Sequence, residues 1–249
     1  VVQTALVHVI EPILDHTFHE RSFGFRRGRG CHDALRVVEE KLEAGYVYVV
    51  DADLKGYFDT IPKDRLLAMV NEQISDRRVL RLIKSYLDQS IMEELRTWTP
   101  ESGVPQGAVL SPVLANLYLN PLDQQMAAAG FEMVRYADDF VVMARFVSPQ
   151  LIRFIETKVE DWMGLVINRE KTRVVSLDEV GASLDFLGYT FRYDRDLYGR
   201  DRRYLNWGPA KKALARERDK LRAMTSSRRC FMPLLDLIAE VNQHLQGWA

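Results

Sequence analysis

Apolar residues recur at helical spacing through VVQTALVHVIEPILDHTF, which predicts a helix over residues 1–18. A Gly- and Arg-rich loop, RSFGFRRGRG, follows, and a second helical pattern runs from about His32 to Glu43. The stretch YVYVVDADL then switches to near alternation, the period of a strand. Residues 62–73 and 76–89 are expected as two amphipathic helices, with Ser75 as N-cap of the second. GVPQGAVLSPVLANLYLN opens as a loop and turns helical at Ser111 and Pro112, a preferred N-cap and first-turn pair. Ser148 and Pro149 repeat that device for a helix ending near Gly164, with Leu151, Ile155, Val159 and Trp162 on its apolar face. Short strands are expected at 165–168, 173–177 and 184–193, and helices at 209–224 and 231–247. Helices and strands mix without strict βαβ alternation, so the fold class is α+β. A boundary near 195–208 divides the chain into units 1–195 and 196–249.

One interruption of this pattern calls for a chemical reason. In FEMVRYADDFVVMAR, Asp138 and Asp139 stand side by side between two apolar runs. Like charges repel, and each loses free energy on leaving water. Neighbours in an extended strand face opposite ways, so the two can share a site only at a tight hairpin turn. A second acidic stretch, VDADLKGYFD, puts Asp51 and Asp53 on one strand face, followed by a turn at Gly56 beneath Tyr57 and Phe58. Asp59 reads as a local cap. With Asp53 as the third beside Asp138 and Asp139, three carboxylates meeting at one point make no sense as core packing. They suit hard divalent cations, which take oxygen ligands and bridge to phosphate. In GVPQGAVLSP, Gly103 and Gly107 permit close backbone approach, Pro105 stiffens the loop, and a helix N-terminus follows.

Composition narrows the setting. The two cysteines, Cys31 and Cys230, show no metal-knuckle spacing, which points to a reducing, cytoplasmic location. No apolar run reaches the roughly 18 residues of a membrane span, and no membrane partner is expected. The net charge of -1 hides an asymmetry: residues 192–229 carry 13 Lys/Arg against 5 Asp/Glu. Such a basic segment is either a solvated helix face or the docking surface for a polyanion. The chain starts at Val1 inside an apolar segment, so we expect a piece of a longer protein.

Taken together, the motifs resemble the reverse transcriptases, above all those encoded by bacterial group II introns. SFGFRRGRGCHDAL is similar to that family's second block, VVDADLKGYFDTI to its first catalytic motif, and GVPQGAVLSPVLANLYLN to its template- and nucleotide-facing block. RYADDFVVMAR resembles the YxDD hairpin, GLVINREKTRVV the lysine-bearing block, and FLGYTFR the primer-grip block. The resemblance implies a right-hand polymerase palm, an antiparallel sheet with packed helices, over residues 1–195 with partial fingers. It implies a helical thumb, or the start of a maturase-type region, over 196–249. Blocks that normally precede Val1 are expected to be missing.

By the same resemblance, Asp53, Asp138 and Asp139, helped by the Leu54 carbonyl, bind two Mg²⁺ ions, with Mn²⁺ as a substitute. Phe58 excludes a 2′-hydroxyl, Gln106 and Gly107 line the nascent base pair, and Lys171 serves the departing pyrophosphate. Arg26, Arg27 and Arg29 contact template phosphates, and Lys211, Lys212 and Arg216 of the basic tail hold nucleic acid. Read without it, Phe58 is a core aromatic, Gln106 a loop residue, Lys171 an exposed strand-end lysine and the arginines a solvated loop. Asp51 is expected beside the site without being a ligand. The implied activity is RNA-directed DNA polymerisation from a DNA or RNA primer with dNTPs on an RNA template, with intron RNA as a further partner. The rivals are an RNA-dependent RNA polymerase, against which Phe58 argues, an RNA-binding maturase fragment, and a retron or phage-defence reverse transcriptase. Ala108 follows Gly107 where a second glycine is commoner.

Overall fold

The computed structural model describes residues 1–89, 91–93, 96–98, 102–105, 107–146, 149–196 and 203–248. Gln106 and Ser148 lie outside the described residues. The central feature is a four-stranded antiparallel sheet in the order β4-β5-β1-β6. It comprises β1 (Tyr48–Ala52), β4 (Glu132–Tyr136), β5 (Asp139–Ala144) and β6 (Arg173–Ser176). A second sheet of three strands, β7 (Leu184–Phe186), β8 (Tyr189–Arg195) and β9 (Arg203–Pro209), packs nearby, and β2 (Ile91–Glu93) pairs with β3 (Arg96–Trp98).

Side-chain alternation along the central strands builds two layers. Val50, Ala52, Met133, Phe140 and Val142 face one way, onto a helical layer. That layer includes α1 (Val2–Asp15), the short α3 (Tyr57–Thr60), α4 (Lys63–Gln73), α5 (Arg77–Leu87), α6 (Ser111–Ala128) and α7 (Pro149–Glu156). Val49, Val134, Val141 and Met143 face the other way, onto α2 (Cys31–Glu43) and the second sheet. Being covered on both sides, β1 and β5 are apolar almost throughout, which is why they read as continuous hydrophobic runs. The basic α8 (Lys211–Met224) and α9 (Leu234–Trp248) follow β9.

Several sequence expectations are corrected. Asp76, not Ser75, caps α5: its carboxylate accepts hydrogen bonds from the N–H groups of Arg78 and Val79. Ser111 does not cap α6 but is its first residue, and its hydroxyl donates to the Pro105 carbonyl at 2.5 Å, tying the helix to the preceding loop. The helix from Pro149 ends as a π-helix over Thr157–Trp162. Each π-turn takes an extra residue, so the buried position passes from Trp162, 36% exposed, to Met163, 2% exposed. The single strand expected at 184–193 is a hairpin turning at Leu187 and Gly188. β9 pairs along its length with β8.

Tyr57 fixes α3 to the helical layer. Its ring is buried, and its hydroxyl donates to the Ala115 carbonyl on α6 at 2.6 Å. Replacing Tyr57 with Phe removes that bond alone and is expected to lower stability by about 1 kcal/mol. Replacing it with Ala leaves a cavity and is expected to cost about 3–5 kcal/mol. Urea unfolding of the two variants measures both.

Candidate active site

Two backbone features bring the acidic stretches together. The first is the β4–β5 hairpin. Tyr136 pairs with Asp139, leaving Ala137 and Asp138 as the two-residue tip. Ala137 has φ of 58°, the positive value that a tight hairpin turn requires. The second is the antiparallel register of β1 on β5. Ala52 lies opposite Phe140, so the next step along each chain sets Asp53 beside Asp139. Asp51, Asp53 and Asp139 therefore share the sheet face that looks toward the second sheet. They line one cleft of about 760 Å³, whose other wall includes Lys212 and Arg216. Asp53 and Asp138 also line an adjoining cleft of about 470 Å³ with Phe58, Asn168 and Lys171.

Beyond β1 the chain stays extended for one more pair. Leu54 bridges to Ile167, with the Asp53 carbonyl accepting from the Asn168 N–H and the Lys55 N–H donating to the Val166 carbonyl, both at 2.8 Å. In such a pair the intervening carbonyl points the other way, so that of Leu54 turns toward the hairpin edge. The Asp53 carboxylate meets Lys171 Nζ at 3.3 Å and Asn168 Nδ2 at 2.9 Å. Burial, reinforced by Asp138 and Asp53 and opposed by Lys171, holds the Asp139 carboxyl above its usual range. Burial, then Asp139, pushes the Asp51 carboxyl up to about 6, against the pull of Arg173. The donors are all oxygen and carry excess negative charge, the combination suited to hard divalent cations. Among the described residues, no three acidic, His or Cys side chains close on a single metal position. The carboxylates line two adjoining clefts that meet at Asp53 rather than a formed ligand shell.

Phe58 stands in the cleft wall, edge-on to Tyr57 with ring centroids 5.5 Å apart and to Phe25 at 6.4 Å. The loop before α6 is joined to it through backbone. The Val104 N–H donates to the Phe58 carbonyl and the Gly103 N–H to the Ile61 carbonyl, both at 2.7 Å. Gly103 has φ of 90°, and a Cβ there would lie 2.8 Å from the carbonyl oxygens of Phe58 and Asp59. Only glycine permits that approach. Gly107 is exposed, with open space where a side chain would stand.

The arginine-rich loop departs from expectation. Arg26 is 8% exposed, and its guanidinium is spent on Asp15 (2.5 Å), on the carbonyls of His19 and Ser22, and on the face of Phe18. It pins the loop to α1 and offers nothing to a phosphate. Arg27 pairs with Glu11 at 3.0 Å but stays largely exposed, and Arg29 bonds the Glu20 carbonyl and covers Phe23. On α8, Lys212 and Arg216 face the carboxylate cleft, whereas Lys211 faces a neighbouring concavity with Arg192 and Trp207.

Sequence reading missed Arg135. It is fully buried directly beneath the hairpin tip, and all five of its N–H groups are used. They go to both carboxylate oxygens of Asp123 (2.8 and 2.5 Å), to Asn116 Oδ1 (2.8 Å), to Ser22 Oγ (2.7 Å) and to the Ala137 carbonyl (2.8 Å). The signal in the sequence was an arginine set among apolar residues inside a short strand, with a matching lone acid in the apolar helix NLYLNPLDQQM.

With this geometry in view, comparison with known proteins gives a consistent result. A family model described as reverse transcriptase (RNA-dependent DNA polymerase) matches residues 1–191. The chain is 40% identical over 123 residues to an uncharacterized 91 kDa protein in the cob intron of Schizosaccharomyces pombe, covering 49% of this chain and 15% of that protein. It is 37% identical over 123 residues to the group II intron-encoded protein LtrA of Lactococcus lactis, covering 49% of this chain and 20% of LtrA. It thus spans a minor part of either relative's length. Apo telomerase from Candida tropicalis shares the fold, with a TM-score of 0.59 at 14% identity over 76% of this chain and 43% of that one. The chain belongs to the reverse transcriptase (RNA-dependent DNA polymerase) family, with sequence kin among group II intron-encoded proteins.

Proposed function

We propose that the chain is an RNA-directed DNA polymerase that extends a primer 3′-hydroxyl with dNTPs on an RNA template, serving a group II intron. The observation that carries this reading is the β1–β5 register, which brings Asp53 to the hairpin tip beside Asp138 and Asp139. These three carboxylates and the Leu54 carbonyl would hold two Mg²⁺ ions, with Mn²⁺ as a substitute. Bound there, such cations lower the pKa of a hydroxyl and neutralise phosphate oxygens. The new bond joins the primer 3′ oxygen to the α-phosphorus as the bond to pyrophosphate breaks. Lys171, exposed and paired only loosely with Asp53, is free to turn to the departing anion. Phe58 would stack under the incoming sugar and leave no room for a 2′-hydroxyl. Gln106 and Gly107 would face the nascent base pair. Residues 196–249 would act mainly as the thumb, with Lys212 and Arg216 on the backbone of the template–primer duplex and Lys211 and Arg29 at its margins. An RNA·DNA hybrid would be read by its shape and sugars, not its sequence.

Replacing Asp138 or Asp139 with Ala is expected to reduce primer extension on an RNA template with Mg²⁺ by about a thousand-fold while the circular dichroism spectrum is retained. Extension at wild-type rate by a folded Asp138→Ala variant would remove the basis for the assignment. Retained binding of intron RNA by an otherwise inactive wild type would favour the maturase reading. Replacing Phe58 with Ala is expected to raise rNTP use relative to dNTP about 10- to 200-fold, read from the ratio of kcat/KM values. Replacing Lys212 and Arg216 together with Ala is expected to weaken template–primer binding across all sequences. The slope of log K against log salt should fall by about one for each phosphate that is no longer neutralised, measured by fluorescence anisotropy.

A further inference from the structure

We propose that Arg135 and Asp123 are positioning residues for the hairpin that carries Asp138 and Asp139, and that Gly24 completes the same clamp. The inference rests on the polymerase reading for its consequence in rate, but its structural content stands apart from it. Ala137, at the tip, adopts a positive φ that a residue with a Cβ takes only where its surroundings impose it. Two neighbours do so. Arg135 Nη1 donates to the Ala137 carbonyl at 2.8 Å. The backbone of Gly24 lies so close that a Cβ there would stand 2.2 Å from the Ala137 nitrogen and 2.9 Å from the Tyr136 carbonyl carbon.

Both restraints trace to one polar assembly. Asp123 on α6 takes two of the Arg135 donors and so fixes the plane of the guanidinium. Asn116, on the same helix, accepts from Arg135 through Oδ1 and donates from Nδ2 to the Gly24 carbonyl at 2.7 Å. The strand edge adds two backbone bonds, from the Phe23 N–H to the Arg135 carbonyl at 2.9 Å and from the Arg135 N–H to the Arg21 carbonyl at 3.0 Å. The tip is therefore held by α6 through side chains and by residues 21–24 through backbone. Arg135 and Asp123 are too deeply buried to touch nucleic acid or nucleotide. Their influence on the reaction passes through the Ala137 carbonyl to the adjoining Asp138. A point charge such as Lys cannot replace a planar fork serving five acceptors.

The test uses Arg135→Lys, Asp123→Asn and Gly24→Ala, with Ile83→Val in α5 as a core variant remote from the hairpin. Single-nucleotide extension is measured with active-site concentration taken from the burst amplitude, so that loss of folded protein does not count as loss of rate. Hydrogen–deuterium exchange of a peptide covering residues 134–141 reports the tip without any reaction. We expect the first three variants to lose about 100-fold in kcat with KM for dNTP within about two-fold of wild type, and to exchange faster across the tip. Ile83→Val should keep wild-type kcat and tip exchange. Gly24→Ala leaves the side chains of Arg135, Asp123 and Asn116 in place and displaces only the Ala137 backbone, and together with Asp123→Asn it decides the matter if Arg135→Lys does not fold. Wild-type kcat together with unchanged tip exchange in folded Arg135→Lys or Gly24→Ala overturns the proposal. If wild-type protein extends no primer, the polymerase reading fails, and the exchange data alone support or overturn the clamp.

Discussion

A fully buried guanidinium must find a partner for each of its N–H groups or destabilise the fold, and in this protein Arg135 sets that demand under the hairpin. A buried ion pair gains little net free energy, because desolvation offsets most of the Coulomb attraction. Breaking one is a different matter, with an uncompensated charge costing about 3–5 kcal/mol. The consequence is geometric. Asp123 and Asn116 from α6, Ser22 from the N-terminal block and Ala137 from the tip must all arrive together. Segments separated by about a hundred residues are thereby held in one register, and the acidic tip is placed by the same act.

That placement creates the electrostatic character of the cleft. Asp51, Asp53 and Asp139 fall on one face through the two-residue period of antiparallel strands, and burial raises the carboxyls of Asp51 and Asp139. Across the cleft, α8 supplies Lys212 and Arg216. The near-neutral chain is thus strongly polarised at this one place, negative on the sheet and positive on the helix. A phosphodiester backbone with divalent cations matches both walls at once: cations against the carboxylates, phosphates against the basic helix.

Much of this was legible in the sequence, and the failures share a cause. Period-3.6 patterns located α2, α4, α5 and α8 because each buries one stripe, while β1 and β5, buried on both faces, stood out as short apolar runs. YADD was readable as a hairpin because adjacent carboxylates have no other way to share a site. Asp53 was readable because its strand alternates. What pattern could not supply was information carried by a single backbone irregularity or a distant partner. The π-turn at Thr157–Trp162 moves a buried position by one residue without a compositional mark. β9 is too polar to stand out, since its pairing with β8 covers only part of each side chain. Arg26 and Arg135 look alike in sequence, as arginines near glycine or aspartate. Only the fold shows that both are interior fasteners, while Lys212 and Arg216 face open space.

The joining of the glycine loop to α3 explains how the cleft wall and floor can stay in register with the tip. Phe58 is not located by its own ring neighbours, which meet it edge-on and could shift. It is located by its carbonyl, which accepts from Val104 at 2.7 Å, and by Tyr57 next door, whose hydroxyl reaches Ala115 on α6. Ser111 closes the loop back onto the first turn of that same helix. The aromatic wall and the acidic tip therefore hang from a single rigid element: Tyr57 and the glycine loop attach in its N-terminal half, and Arg135 attaches there through Asn116 and further along through Asp123. A helix holds such attachment points at fixed spacing, about 1.5 Å of rise per residue, whereas loops alone would let the distance between wall and tip drift. In the proposed polymerase, selection among sugars and alignment of the reacting oxygen would both depend on that distance, so α6, which presents none of the three acidic residues, would set the dimension on which the proposed chemistry turns.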